Sequence, residues 1–167
     1  MSRRTASGLV AALAAAVLVI AAVLAGCGST VGQGAASTGG PDGCTPGKIP
    51  ADLACIRFVS QSGTEGASSV EWLASGALTV MFDDHDGTPT LVVTACNAIN
   101  VPVEIDGRRL TPRAQETIIG DMGCIADAGQ HESWARTFLA EPMTYELAGD
   151  QLTLTTANAS IVLTKHA

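Results

Sequence analysis

The sequence predicts an α+β fold that is mostly β: a small antiparallel β-barrel or strongly curved sheet with one packed α-helix. Three observations carry this. From residue 54 onward, short apolar segments alternate with turn signals at close intervals. One stretch, Gln130–Ala140, has helical instead of alternating periodicity. Many strands and a single helix favour a sheet curved around one core with the helix laid against it.

The elements follow in order. Ala54–Ser60 reads as a first strand, and polar, Gly-rich Gln61–Ser69 as a loop. Val70–Leu73, with Trp72, is a short apolar piece without a clear signal. Leu78–Phe82 and Thr90–Ala95 flank the turn Asp83-Asp84-His85-Asp86-Gly87 and read as a hairpin. Val101–Ile105 alternates, but Pro102 makes it an edge strand or a bulge. Asp106-Gly107 is a second hairpin signal before Arg109–Thr111, and Glu116–Ile119 reads as a further short strand. In the helix, Trp134, Ala135, Phe138 and Leu139 form the apolar stripe, and Glu132, Ser133, Arg136 and Thr137 fall on the opposite face. Asp127 and Gln130 resemble a loose capping box, and Pro142 ends the helix. Met143–Leu147, Gln151–Thr156 and Ile161–Lys165 close the pattern, with Leu152, Leu154, Ile161 and Leu163 pointing inward.

The first residues have another character. Arg3 and Arg4 precede an unbroken apolar run from Leu9 to Leu24, then Ala25, Gly26 and Cys27. Charged start, apolar run and small residues make an export signal. Leu24-Ala25-Gly26-Cys27 resembles the lipobox of bacterial lipoproteins. That resemblance implies a diacylglycerol on the Cys27 thiol, cleavage before Cys27 and acylation of the new amino group. It places the protein at the cell membrane, lipid-anchored on the extracytoplasmic face. An uncleaved membrane anchor is the alternative, since the run is nearly long enough to span; the twin arginines leave the export route open.

The expected organisation is therefore a signal peptide at 1–26, the lipidated cysteine with a flexible linker at 27–43, and a β-rich domain at 44–167. Six of the sixteen residues from Gly28 to Gly43 are glycine and none is aromatic, so the linker cannot bury enough apolar surface to order itself. Without the signal the chain has seven basic and sixteen acidic residues. That balance excludes nucleic acid as a partner, which needs a basic face, and argues against electrostatic docking on anionic lipid. The membrane is reached instead through covalent lipid on Cys27.

Cys44, Cys55, Cys96 and Cys124 remain, an even count that suggests two disulfides in an exported domain. Spacing alone leaves three pairings open.

The stretch from Leu78 to Lys165 resembles the META-domain (HslJ-like) family. The resemblance is carried by Cys96-Asn97, Asp106-Gly107 with Leu110, and Met122-Gly123-Cys124. It continues through the helix ending in Phe138-Leu139, then Tyr145, Gly149-Asp150 and Leu152-Thr153-Leu154. Ala95 and Val101 stand where the family has glycines. The resemblance implies a curved β-sheet with a packed helix, and pairs Cys96 with Cys124, which leaves Cys44 with Cys55. It implies an envelope-associated role in stress or drug tolerance and names no catalytic residue.

Candidate chemistry is sparse. Asp83, Asp84, His85 and Asp86 are competent metal ligands. Aligning Gly87 with the EF-hand glycine, however, puts Phe82 at the first ligand position, and a solvated hairpin turn is the preferred reading. His131 as a general base is weaker than His131 as a half-exposed helix residue. Trp72 and Trp134 are candidates to line a ligand pocket, although Trp134 on the helical stripe reads as core. No nucleophile elbow, HExxH, CxxC, phosphate loop or dinucleotide fingerprint occurs. No catalytic residue, metal site or cofactor is expected. The expected function is non-enzymatic: a lipid-anchored domain that supports the envelope through binding a protein or small molecule. The alternatives are a carrier of a small apolar ligand in the concave face of the sheet, and a hydrolase.

Overall fold

The computed structural model describes residues 43–166. The signal-like segment, Cys27 and the linker up to residue 42 lie outside the described residues. The described elements are β1 (Phe58–Glu65), β2 (Ser68–Ser69), β3 (Thr79–His85), β4 (Thr88–Thr94), β5 (Ala98–Asp106), β6 (Arg109–Pro112), β7 (Ile118–Ile119), α1 (Ala128–Leu139), β8 (Met143–Ala148), β9 (Gln151–Thr155) and β10 (Ala159–Lys165). Strands β1, β3, β4, β5, β6, β8, β9 and β10 pair in that order, and β10 pairs back onto β1. The result is a closed, antiparallel, eight-stranded barrel, with β2 added to β1 and β7 added to β5. Closure removes both sheet edges. Among the described residues, no helix is long and apolar enough to cross a membrane.

Alternation decides which side chains fill the barrel. Val80 and Phe82 of β3, Leu91 and Val93 of β4, and Ile99, Val101 and Val103 of β5 are buried. So are Leu110, Met143, Leu152, Leu154, Ile161 and Leu163 around the rest of the wall. They form one core with Phe58. An eight-stranded barrel is just wide enough to be filled by side chains, and this one is.

The register defines two mouths. The β3–β4, β5–β6 and β8–β9 turns lie at the upper one, and the β4–β5 and β9–β10 turns at the lower one. The segment from Cys44 to Cys55 covers the upper mouth. The Cys55 N–H donates to the Phe82 carbonyl at 2.9 Å, the Asp84 N–H to the Thr45 carbonyl at 2.8 Å, and Ile49 and Leu53 join the core. Helix α1 covers the lower mouth, burying Ala135, Phe138 and Leu139.

Several elements differ from expectation for physical reasons. β1 begins at Phe58, because Cys55 has φ +59° and turns the chain away from a strand path. It then continues to Glu65 through the polar run expected as a loop. Pairing with β10 holds it there, with a register shift between Ser60 and Ser62. Gly63 allows the close approach, since a Cβ there would lie 2.8 Å from the Ser160 carbonyl and overlap Leu73. Val70–Leu73 leads into a 3-10 turn, Glu71–Ser75, docked by Ser60 Oγ, which donates to the Leu73 carbonyl at 2.8 Å. Pro102 sits in an interior strand. Its carbonyl accepts from Arg113 at 2.8 Å, but the β5–β6 ladder starts only at Val103, so the missing N–H falls at a ladder end. Asp127 precedes α1 in a helical conformation and makes no side-chain cap, so the expected capping box is not formed.

Candidate functional site

The lower mouth holds the densest polar construction, and it centres on Asn97. The β4–β5 turn brings Cys96 beside Cys124, and the two form a disulfide with Cα atoms 6.1 Å apart. Cys44 pairs with Cys55, Cα atoms 5.5 Å apart, at the other mouth. These are the pairings that the family resemblance implies. Asn97 is buried, 3% exposed. Its Nδ2 donates to the Met122 carbonyl at 2.9 Å and to Glu132 Oε2 at 2.8 Å, and its Oδ1 accepts from the Met122 N–H at 3.1 Å. Its backbone N–H donates to the same Glu132 oxygen at 2.9 Å. An amide buried this deeply needs all these partners, so Asn97 holds the 120–125 loop to the barrel from inside while the disulfide holds it covalently.

Glu132 is therefore not a solvent-face residue, as helical periodicity alone suggests. It lies near the start of α1 and turns its carboxylate into the barrel turn. Nothing local in the sequence marks this; the clue is the polar Asn97 directly beside a paired cysteine. Cys96, Cys124 and Glu132 also place three ligand-type atoms within 4.8 Å of one another. The two sulfurs are bonded to each other and carry no thiolate, so the group offers a metal one carboxylate.

At the upper mouth the acidic run has a different use. Asp86 and Gly87, at φ +53° and +83°, form a two-residue turn between His85 and Thr88, the geometry a tight hairpin prefers. Asp84, 6% exposed, accepts from the Gly87 N–H at 2.6 Å and the Lys48 N–H at 3.2 Å. Asp83 accepts from the Thr45 N–H at 2.7 Å and lies 3.3 Å from His85 Nε2. Both carboxylates thus tie the Cys44–Cys55 loop to β3.

Aromatic rings line one side of α1. The His131 ring stacks on Trp72 at 4.2 Å and 11°, Trp72 meets Trp134 edge-on at 5.6 Å, and Trp134 stacks on Phe138 at 5.5 Å. Trp134 Nε1 donates to Glu65 Oε2 at 3.1 Å, which ties the helix to the end of β1. Trp134 is half-buried, and His131 is engaged face-on with an indole.

On the other side of α1 a groove of about 680 Å³ runs between the helix and β7. Ile99, Val101, Ile119 and Leu139 form its floor, and Arg136 and Glu141 stand at its rim. Sequence reasoning missed it because no single segment carries it. It exists where β6 ends at Pro112 and β5 takes β7 as its neighbour instead. Beside it β7 and the loop after it bear Ile118, Met122 and Ile125, exposed by 69%, 72% and 83%.

A family model described as META domain matches residues 53–167. Comparison with curated proteins finds no match. Among solved structures, an NMR structure of a protein from Burkholderia xenovorans is 13% identical with a TM-score of 0.52, covering 69% of this chain and 84% of its own. A second NMR structure is 18% identical with a TM-score of 0.46, covering 65% and 87%. At this identity the Burkholderia xenovorans structure speaks to the fold alone.

Proposed function

The chain belongs to the META domain family, and from that premise we propose that it is a lipid-anchored, extracytoplasmic protein that works by binding, not by catalysis. The anchor rests on Leu24-Ala25-Gly26-Cys27 behind the apolar run. Two disulfides in the domain support an oxidising compartment. The observation that carries binding is the lower-mouth surface, where a disulfide and Asn97 hold exposed apolar side chains in place. Supporting the envelope under stress or drug exposure is the role this reading assigns to it.

A carrier of a small apolar ligand is the second reading. The barrel interior is occupied by side chains, so the carrier would use the groove beside α1 and not the concave face of the sheet.

Replacing Cys27 by alanine tests the anchor. An uncut precursor without acyl label is expected, and normal processing with membrane retention would refute it. Co-purification from the native membrane, with mass spectrometry of what is bound, tests binding. A partner that depends on the lower-mouth loop supports the binding reading, and one that depends on the groove favours the carrier.

A further inference from the structure

We propose that the loop at the lower mouth is the docking surface for a cationic amphipathic polypeptide segment, a proposal that deepens the binding reading and rests on it. Ile118, Met122 and Ile125 are the large apolar side chains that stand open among the described residues, and all lie within eight positions. Isolated exposed apolar residues are ordinary; three of them within β7 and the short loop after it are the feature from which the proposal starts. The loop is also ordered in advance. Ile118 and Ile119 pair with β5, Met122 is held through both its N–H and its carbonyl by Asn97, and Cys124 is covalently fixed. Pre-ordering lowers the entropic cost of binding.

Charge selects the occupant. From Ala114 to Asp127 the chain carries Glu116, Asp121 and Asp127 and no basic residue. Arg113 engages Glu116 at 3.8 Å. Asp121 and Asp127 are exposed and have no ionic partner among the described residues. Glu141 adds a further carboxylate on the adjoining groove, where Arg136 is the one basic residue among the described residues that line it. Anionic lipid is repelled by this arrangement, and a second copy of the chain would bring like charges together. A segment with an apolar stripe at i, i+3, i+4 and lysines or arginines beside it matches both features. The apolar stripe covers Ile118, Met122 and Ile125, and the cations meet Asp121 and Asp127.

The test uses the full chain as isolated, in neutral phosphatidylcholine nanodiscs if it carries lipid and in buffer if it does not. The probe is a fluorescent Lys/Leu amphipathic helical peptide, with a Glu/Leu peptide of the same pattern as control. Binding of the Lys/Leu peptide alone is expected, weakening as sodium chloride screens the charges. Replacing Ile118, Met122 and Ile125 together by serine should weaken it by about tenfold or more without moving the unfolding midpoint, since all three are exposed. Asp121→Asn with Asp127→Asn should weaken it, and Arg136→Gln should strengthen it. Equal binding of the two peptides, or unchanged affinity in the serine variant, would overturn the proposal. So would preference for phosphatidylglycerol vesicles, which would mean a lipid surface. A dimer of the free protein lost in the serine variant would point to self-association and overturn it as well. If the peptide fails but a membrane partner is still lost with the serine variant, binding stands and only the partner class is wrong; if both fail, binding itself falls.

Discussion

Asn97 and Glu132 show how much one pair of polar residues organises here. The Glu132 carboxylate accepts from both the backbone N–H and the side chain of a nearly inaccessible asparagine. Removing an acceptor from a buried donor costs the desolvation of that donor, about 1–3 kcal/mol. Glu132→Ala should therefore lower the unfolding free energy by about that much in a urea titration. Glu132→Gln, which keeps an acceptor oxygen, should cost less. Arg136, exposed on the same helix, should change stability by less than about 0.5 kcal/mol when replaced by alanine. Equal effects at the two positions would mean that Glu132 is a surface residue after all. The Asp84 carboxylate plays a comparable part at the opposite mouth, with Gly87 and Lys48 as its donors.

Among the elements, α1 and β6 carry opposite expectations. The helix contributes Ala135, Phe138 and Leu139 to the core as its stripe requires. Phe138, 4% exposed, should cost about 3–5 kcal/mol on replacement by alanine, measured by thermal or chemical unfolding. A folded Phe138→Ala protein with unchanged stability and a lost binding activity would make the stripe a recognition surface. β6 is four residues long and meets β8 through only two paired positions, Arg109 with Thr144 and Leu110 with Met143. Short ladders open at low free energy. Hydrogen exchange should therefore be faster at this seam than in the β4–β5 ladder, which pairs five positions. Slower exchange at the seam would show that α1 and the 114–119 segment brace the wall there.

At the scale of the whole molecule, two covalent staples sit at the two ends of one barrel. Cys96–Cys124, separated by 28 positions, should contribute about 3–4 kcal/mol by chain entropy. Cys44–Cys55, separated by 11, should contribute somewhat less, about 3 kcal/mol. Replacing each pair by serines and measuring unfolding free energies checks the order. A larger loss at the upper mouth would mean that the Cys44–Cys55 loop, with Ile49 and Leu53 beneath it, is a structural lid more than a tether. The lower staple has a second consequence, because it holds the loop on which the proposed docking surface depends. The Cys96→Ser, Cys124→Ser protein should lose peptide affinity along with stability.

The alternating segments, the turns at Asp86-Gly87 and Asp106-Gly107, and the stripe from Trp134 to Leu139 were legible because each depends on neighbours within a few residues. A mostly β domain with one packed helix, an even set of four cysteines in it and an acidic charge balance follow from the residues alone. Tertiary structure decided the rest, because the deciding contacts join distant residues. Closure depends on β10 reaching β1 across about a hundred positions, and that pairing turns polar Gln61–Glu65 from an expected loop into strand. Asp83 and Asp84 read as residues of a solvated hairpin turn until Thr45 and Lys48 are brought to them and Asp84 is buried. Glu132 reads as solvent-facing until the β4–β5 turn presents Asn97. A local pattern states how apolar a position is; only the packed chain states which buried polar group is waiting for a partner, and where.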